Sequence, residues 1–274
     1  EVFGVDIRYY EMGPSDPKAP TVVLLHGLGS NALGNWGAVM PQLAQTHHVI
    51  ALDQLGFGGS AKPMVDYSIQ LWVDTLGEFL REKKVGAFTL IGESLGGWIA
   101  AQYAIQSLQG IAVDPAFTLP RPVKLVLCAA AGRRATMARM FTPLPDGKRG
   151  PPPVSLAGVK SSVGAVFYRA RVPSAGDVRA SLQWNLDKDD GWTVHSVTSN
   201  PALLDEAVDG QLGAIRIPTL VVWGEHDELV PVDDGRWYAA GIPGAKLALI
   251  AETAHVPMTE APETFLRVLL PFLR

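Results

Sequence analysis

The stretch Thr89 to Trp98, TLIGESLGGW, places a serine between glycines, after an apolar β-branched run and before a helix-like segment. A serine hydroxyl is a weak nucleophile at neutral pH and needs an adjacent base to take its proton. It must also stand clear of the backbone, close to donors that can hold an oxyanion. A sharp strand-to-helix turn meets both needs, and Gly92 and Gly96, two before and two after Ser94, relieve the crowding such a turn creates. The helix that follows aims its first free amides at the reacting centre, which makes the Leu95 N–H an oxyanion donor. The competing reading is a serine that merely caps a helix. A lone G-x-S-x-G leaves that open; the strand before and the helix after favour the nucleophile.

A base and an acid are present. VVWGEHDELVP puts Asp227 just past one apolar strand, and LIAETAHVPMTEAPE puts His255 past the next. Loops at the carboxyl ends of parallel strands gather on one edge of a sheet, so residues far apart in sequence converge there. His255 would then be the base, with Asp227 fixing its tautomer and stabilising the imidazolium. VVLLHGLGSN, after an early strand, lets the backbone turn in at His26–Gly27 and offers the Leu28 N–H as a second oxyanion donor.

Other candidates fit less well. His47 and His48 begin a strand and read as edge residues, His195 is expected to face solvent, and His226 would point away from Asp227. Glu225 and Glu228 flank Asp227 but do not open the turn after the strand as it does. The strand ending in CAAAG is another place for an acid, and it carries no carboxylate. His26 is expected to fix its loop by hydrogen bonds. ALDQLGFGGSAKP is glycine-rich but has neither a P-loop lysine nor a G-x-G-x-x-G opening a helix, so it reads as a turn tied down by Asp53 and Ser60. Glu93 fits two roles equally, a buried carboxyl behind His255 or a plain structural residue.

These loops require a frame. Strands are expected at Val2–Tyr10, Thr21–Leu25, His48–Leu52, Ala87–Ile91, Val123–Cys128, Thr219–Val222 and Lys246–Ile250. Between them, Ile69, Trp72, Val73, Leu76, Phe79 and Leu80 mark one face of a helix. Further helices are expected after Ser94 and at the C-terminus. Alternation of apolar strands with helices predicts an α/β class, with a mostly parallel sheet covered on both faces. From Gly132 to about Gln211 the alternation stops, TPLPDGKRGPPPVS reads as irregular loop, and Val159–Arg171, Val178–Leu186 and Pro201–Val208 read as short helices.

The bulk properties narrow the partners. The net charge of −4, from 23 basic and 27 acidic residues, comes with no basic run, so neither nucleic acid nor an anionic membrane is expected to bind. The single cysteine, Cys128, permits no internal disulfide and no thiolate metal cluster, and it reads as a buried core thiol. No metal and no cofactor are expected. No apolar run approaches the roughly 18 residues that span a bilayer. Without a signal-peptide pattern the expected location is the cytoplasm, although a chain that starts at Glu1 leaves room for a trimmed N-terminus. Oligomeric state is not legible.

Together HGLGS, DQLGFGGS, GESLGG and HVPMTEAPE resemble the α/β-hydrolase superfamily, over nearly all of residues 1–131 and 212–274. The Ser, Asp, His chain order is that of this scaffold. The resemblance implies a triad of Ser94, Asp227 and His255, oxyanion amides at Leu28 and Leu95, a core domain from residues 1–131 and 212–274, and a mainly helical cap at 132–211. Haloalkane dehalogenases and epoxide hydrolases of this fold use an aspartate where this chain has Ser94. Meta-cleavage product hydrolases carry a tryptophan after the histidine, where this chain has Val256. Hydroxynitrile lyases place a lysine in the acid loop, and EHDELVP has none.

What the resemblance leaves is a carboxylesterase-type serine hydrolase for small, largely apolar esters. Carbon–carbon bond cleavage is the alternative, with Arg169, Arg171 and Arg179 able to meet a carboxylate. A hydrolase-like small-molecule receptor with little turnover is another. Trp184 and Trp192, with Phe167 and Tyr168, fit either a substrate pocket or the cap's own small core. In the acid loop only Leu229 and Val230 would face the pocket.

Overall fold

In the computed structural model, residues 1–14, 16, 19–141, 154–169 and 172–274 are described. Seven strands form one sheet in the order β1-β3-β2-β4-β5-β6-β7. They are β1 (Tyr9–Met12), β2 (Thr21–Leu25), β3 (His48–Leu52), β4 (Phe88–Glu93), β5 (Lys124–Cys128), β6 (Thr219–Gly224) and β7 (Lys246–Ile250). Only β1 runs antiparallel, against β3; every other pair is parallel. The central strands are buried almost throughout, while β1 and β7 are the partly exposed edges. The expected parallel sheet covered on both faces is what forms.

The helices are α1 (Ala32–Trp36), α2 (Met40–Leu43), α3 (Ile69–Glu82), α4 (Leu95–Gln109), α5 (Arg134–Phe141), α6 (Leu156–Val166), α7 (Ala175–Asp187), α8 (Gly191–Ser199), α9 (Val232–Gly241), α10 (Pro257–Glu260) and α11 (Pro262–Leu273). One face of the sheet packs against α3, α4 and α9, with Leu90, Trp72, Ile99 and Trp223 in its core. The other face packs against α1, α2, α10 and α11, with Ile91, Trp36, Met258 and Phe265. α3 buries the apolar face read from its sequence, and the Ser68 hydroxyl caps it by accepting the Leu71 N–H at 3.0 Å. α4 is buried around most of its circumference, as expected for an apolar helix between a sheet and a second helix layer.

Several expectations are corrected. The run Val2–Tyr10 is not one strand: Val2 and Val5 exchange backbone hydrogen bonds across a tight turn, with Phe3 and Gly4 at φ 50° and 78°. Paired positive φ values make a hairpin turn, which interrupts the extended run until Tyr9. Between β5 and β6, α5 and α8 appear where none was expected, and Pro201–Glu206 is 3-10 rather than α-helical. α6 stops at Val166 because Phe167 is extended, so the helix does not reach Arg171, which lies outside the described residues. The proline-rich expectation at 142–153 also lies outside them.

α8 is held from below. Trp192 Nε1 donates to Val65 O at 2.9 Å, Thr193 Oγ1 donates to Gly56 O at 3.0 Å, and Ser196 Oγ accepts the Tyr67 N–H at 2.8 Å. The Glu206 carboxylate accepts the first two amides of α3, from Ile69 at 2.7 Å and Gln70 at 3.0 Å. An anion at a helix N-terminus satisfies free amides and opposes the helix dipole favourably. No described helix is long and apolar enough to cross a membrane.

Candidate active site

The strand order reverses direction at β2, which has β3 on one side and β4 on the other. In open parallel sheets this is where a crevice opens between carboxyl-end loops. The loop after β2 carries Leu28, and the turn after β4 carries Ser94.

Ser94 sits at φ 52° and ψ −115°, a conformation that costs a non-glycine residue about 1–3 kcal/mol. The surrounding hydrogen bonds hold it there: Ser94 N–H donates to Cys128 O at 3.0 Å, and Ser94 O accepts from Trp98 at 3.0 Å and Ala131 at 2.9 Å. Close packing explains the glycines. A Cβ at Gly92 would lie 2.1 Å from Gly96 O, and one at Gly96 would lie 2.5 Å from Leu25 O. The hydroxyl makes no capping bond to α4. Ser94 Oγ instead lies 2.9 Å from His255 Nε2, so the helix-cap reading does not hold.

His255 Nδ1 lies 2.8 Å from Asp227 Oδ2. The other Asp227 oxygen accepts the Leu229 and Val230 amides at 2.9 and 3.0 Å, which fixes the carboxylate and leaves Oδ2 for the ring. With Nδ1–H donating to Asp227, Nε2 is the free acceptor for the Ser94 hydroxyl proton. Asp227 is buried, whereas Glu225, His226 and Glu228 are exposed, which separates Asp227 from its neighbours. Burial by itself would depress the His255 pKa, but Asp227, Glu93 and Glu260 outweigh it and hold the ring up at about 9.

The turn at Gly27–Ser30 is closed by Ser30 N–H on Gly27 O at 3.3 Å. Among the described residues, neither the Leu28 nor the Leu95 N–H donates to a protein acceptor. Neither amide is therefore spent on a bond within the protein. His26 anchors this loop as expected: Nε2 accepts the Gln54 N–H at 3.0 Å, so Nδ1–H donates to Gly27 O at 2.8 Å. Burial pushes its pKa down to about 4, so it stays neutral. Asp53 accepts the Ala32 and Gly59 amides, each at 2.8 Å, and Ser60 Oγ donates to Asp53 O at 2.5 Å, as a structural turn requires. Cys128 is buried and its thiol is pushed well up by burial.

The remaining expectations divide. His195 is exposed. Trp184 and Trp192 are 48% and 40% exposed, so neither forms a buried core for the segment between β5 and β6. Trp192 braces Val65 through its Nε1–H. Val230 belongs to the main apolar core, its amide held by Asp227 and its carbonyl by Trp223 Nε1 at 2.9 Å; Leu229 is 46% exposed. Val230 thus supports the acid through its amide. Two surface clefts, beside Glu11 and His48 and beside Leu108 and Arg216, contain none of the three converging residues.

Three groups escaped the sequence reading. Asn35 Nδ2 donates to Glu93 Oε2 at 2.7 Å. Glu260 accepts the Ala254 amide on Oε1 and the Tyr168 amide on Oε2, each at 2.7 Å. His255 N–H donates to Val166 O at 3.0 Å. Only Glu260, five residues after His255 in a turn that must be held, left a trace in the sequence.

A model of the alpha/beta hydrolase family matches residues 22–268. One relative, the 2-hydroxy-6-oxo-6-(2'-aminophenyl)hexa-2,4-dienoic acid hydrolase of Metapseudomonas resinovorans, is 28% identical and covers 98% of this chain and 88% of its own. Among solved structures, Est816, described as an N-acyl homoserine lactone degrading enzyme, is 26% identical with a TM-score of 0.75, covering 99% of this chain and 98% of its own. The meta-cleavage product hydrolase CumD superposes with a TM-score of 0.78 at 22% identity, over 99% of this chain and 95% of its own, a likeness of fold.

Proposed function

The chain belongs to the alpha/beta hydrolase family, and on that premise we propose that it is a serine hydrolase of small, largely apolar carboxylic esters. One observation carries the reading: a strained serine whose hydroxyl lies 2.9 Å from a histidine that is itself held by a buried aspartate.

In the first half-reaction Ser94 Oγ attacks the ester carbonyl carbon, and its proton passes to His255 Nε2. The carbonyl π electrons move onto oxygen, to which the Leu28 and Leu95 N–H groups donate hydrogen bonds. A single such donor is worth about 2.7–4 kcal/mol. Collapse expels the alkoxide, which takes the proton from His255 and leaves an acyl group on Ser94. Water then attacks the acyl carbon as His255 takes its proton, and collapse returns the hydroxyl to Ser94. Asp227 keeps the ring in the Nδ1–H tautomer and stabilises the imidazolium in both halves. Residues 132–211 would act as a cap bounding the substrate's space.

A lactone is a cyclic ester, so the likeness to a lactone-degrading enzyme supports this reading. The Metapseudomonas relative supports the alternative, carbon–carbon cleavage of a dienoic acid. That reaction needs polar groups around the substrate's carboxylate, and Arg169 and Arg179 are both exposed. Val256 again occupies the position after the histidine. The test is kcat/KM on short-chain aryl and alkyl esters against meta-cleavage diketones. A larger value for the diketone overturns the ester reading, and no turnover of either favours a receptor.

A further inference from the structure

Asp227 is not the only carboxylate that reaches the base. Glu93, the last residue of β4, is 2% exposed, and its Oε1 lies 3.3 Å from His255 Nε2, the same nitrogen that faces Ser94. Its other oxygen is held by Asn35 Nδ2 at 2.7 Å, which fixes the side chain's direction. The loop after β2 makes room for it: a Cβ on Gly27 would lie 2.2 Å from Glu93 Oε2 and 3.1 Å from Ser94 Cβ. Glycine at 27 therefore lets a carboxylate lie between the loop bearing Leu28 and the ring of His255.

Resting on the serine-hydrolase reading, we propose that Glu93 is a positioning residue, a second carboxylate partner of His255 that binds the imidazolium from the Ser94 side and sets the pH at which the base is free. When His255 takes the Ser94 proton, its new Nε2–H faces both Ser94 Oγ and Glu93 Oε1. An ionised Glu93 attracts that proton without receiving it; the proton goes on to the leaving alkoxide. The same attraction works against catalysis in the resting enzyme. A protonated His255 held between Asp227 at Nδ1 and Glu93 at Nε2 gives up its proton only at a pH above the ordinary histidine range.

The groups facing this pair come from several elements. Glu93 and Ser94 lie at the end of β4, Asp227 after β6, Glu260 on α10, Asn35 on α1 and the neutral Cys128 thiol on β5. From the segment between β5 and β6 the Val166 carbonyl, which is uncharged, faces the His255 amide. Burial raises the Glu93 pKa to about 7 against the pull of His255 and Asn35, so its charge appears in the working range and not below it. A residue that merely filled space beside Gly27 would leave the titration of His255 unmoved.

The experiment is the titration of the His255 ring, followed by NMR in wild type and in Glu93→Gln, beside the pH profile of ester turnover. Glutamine keeps the shape and an oxygen for Asn35 while removing the charge. The expected result is a fall in the His255 pKa of about one unit or more, with the acid limb of kcat/KM moving down by the same amount and the alkaline plateau lowered. An unchanged His255 pKa overturns the proposal, even if activity falls. If Glu93→Gln does not fold, Glu93→Asp, which keeps the charge but withdraws it by a methylene, must lower the pKa part of the way; no change there overturns the proposal too. The NMR titration needs no substrate, so it decides the role of Glu93 even if no ester is turned over and the ester reading fails.

Discussion

Glu260 ties the loop carrying His255 to the segment between β5 and β6: one of its carboxylate oxygens accepts the Ala254 amide and the other the Tyr168 amide, each at 2.7 Å. The Val166 carbonyl reinforces the link by accepting the His255 amide at 3.0 Å. The base and the segment above it are therefore one hydrogen-bonded unit. Glu260→Gln turns one acceptor into a donor that faces an N–H. Losing a charged hydrogen bond of this kind costs about 1.5–3 kcal/mol, so the variant should melt several degrees lower and lose turnover mainly in kcat. Calorimetry and steady-state kinetics check this; wild-type melting and kcat would show that the link carries no load.

For the nucleophile, Ser94→Ala should lower ester turnover by roughly 10³ to 10⁶-fold. Its hydroxyl packs in no core, so the variant should unfold at the wild-type denaturant midpoint. Retention of a tenth of the activity would remove Ser94 from the mechanism.

For the acid, Asp227→Asn should cost about 10⁴-fold in kcat, because an amide no longer enforces the correct tautomer of His255. Glu225→Gln and Glu228→Gln, at exposed positions, should leave kcat within a factor of about two. The reverse ranking would move the acid to a neighbour.

The pH dependence follows from the ring. The His255 pKa is raised from 6.5 to about 9, so the neutral base becomes populated, and turnover rises, as pH increases through a value above 6.5. Stability runs the other way. A group with a raised folded pKa binds its proton more tightly when folded, so its contribution is complete below 6.5 and fades as pH climbs toward about 9. Parallel kcat/KM profiles and thermal melts across this window should diverge. A flat rate profile from about pH 5 to 8 would exclude a histidine base.

The elbow tolerates no side chain at Gly96. An added Cβ would meet Leu25 O at 2.5 Å and His26 O at 2.6 Å, both rigid backbone atoms. Gly96→Ala should destabilise the protein by about 1–3 kcal/mol or more and displace the Leu28 loop, lowering activity as well. At Gly86 an added Cβ meets nothing within 4 Å, so Gly86→Ala serves as the neutral control.

Much of the site was legible because its chemistry is local. Ser94 announces itself through the glycines beside it, and Asp227 and His255 through their places just past apolar strands. What hid was whatever depends on distant partners. Nothing around Asn35 shows that it meets Glu93, 58 positions away, and Glu93 itself read equally well in two roles. Helix α8, sequence GWTVHSVTS, opens with glycine and is rich in β-branched residues, a poor helix former by itself. It exists because Val65, Gly56 and Tyr67 hold it by hydrogen bonds from outside the segment. Phe3 hid the opposite way, with its aromatic ring suggesting a strand where a tight turn lies.

His255 follows β7, the last of the seven strands in sequence order and an edge of the sheet, while Ser94 lies 161 positions earlier, just past the central strand β4. Joining them requires closing a long stretch of chain, a step that late, non-local contacts reward only once most of the sheet exists. Catalytic competence should therefore come late in refolding. During renaturation from denaturant, circular dichroism should recover before ester turnover does, and the lag between them measures the docking of β7 and α11.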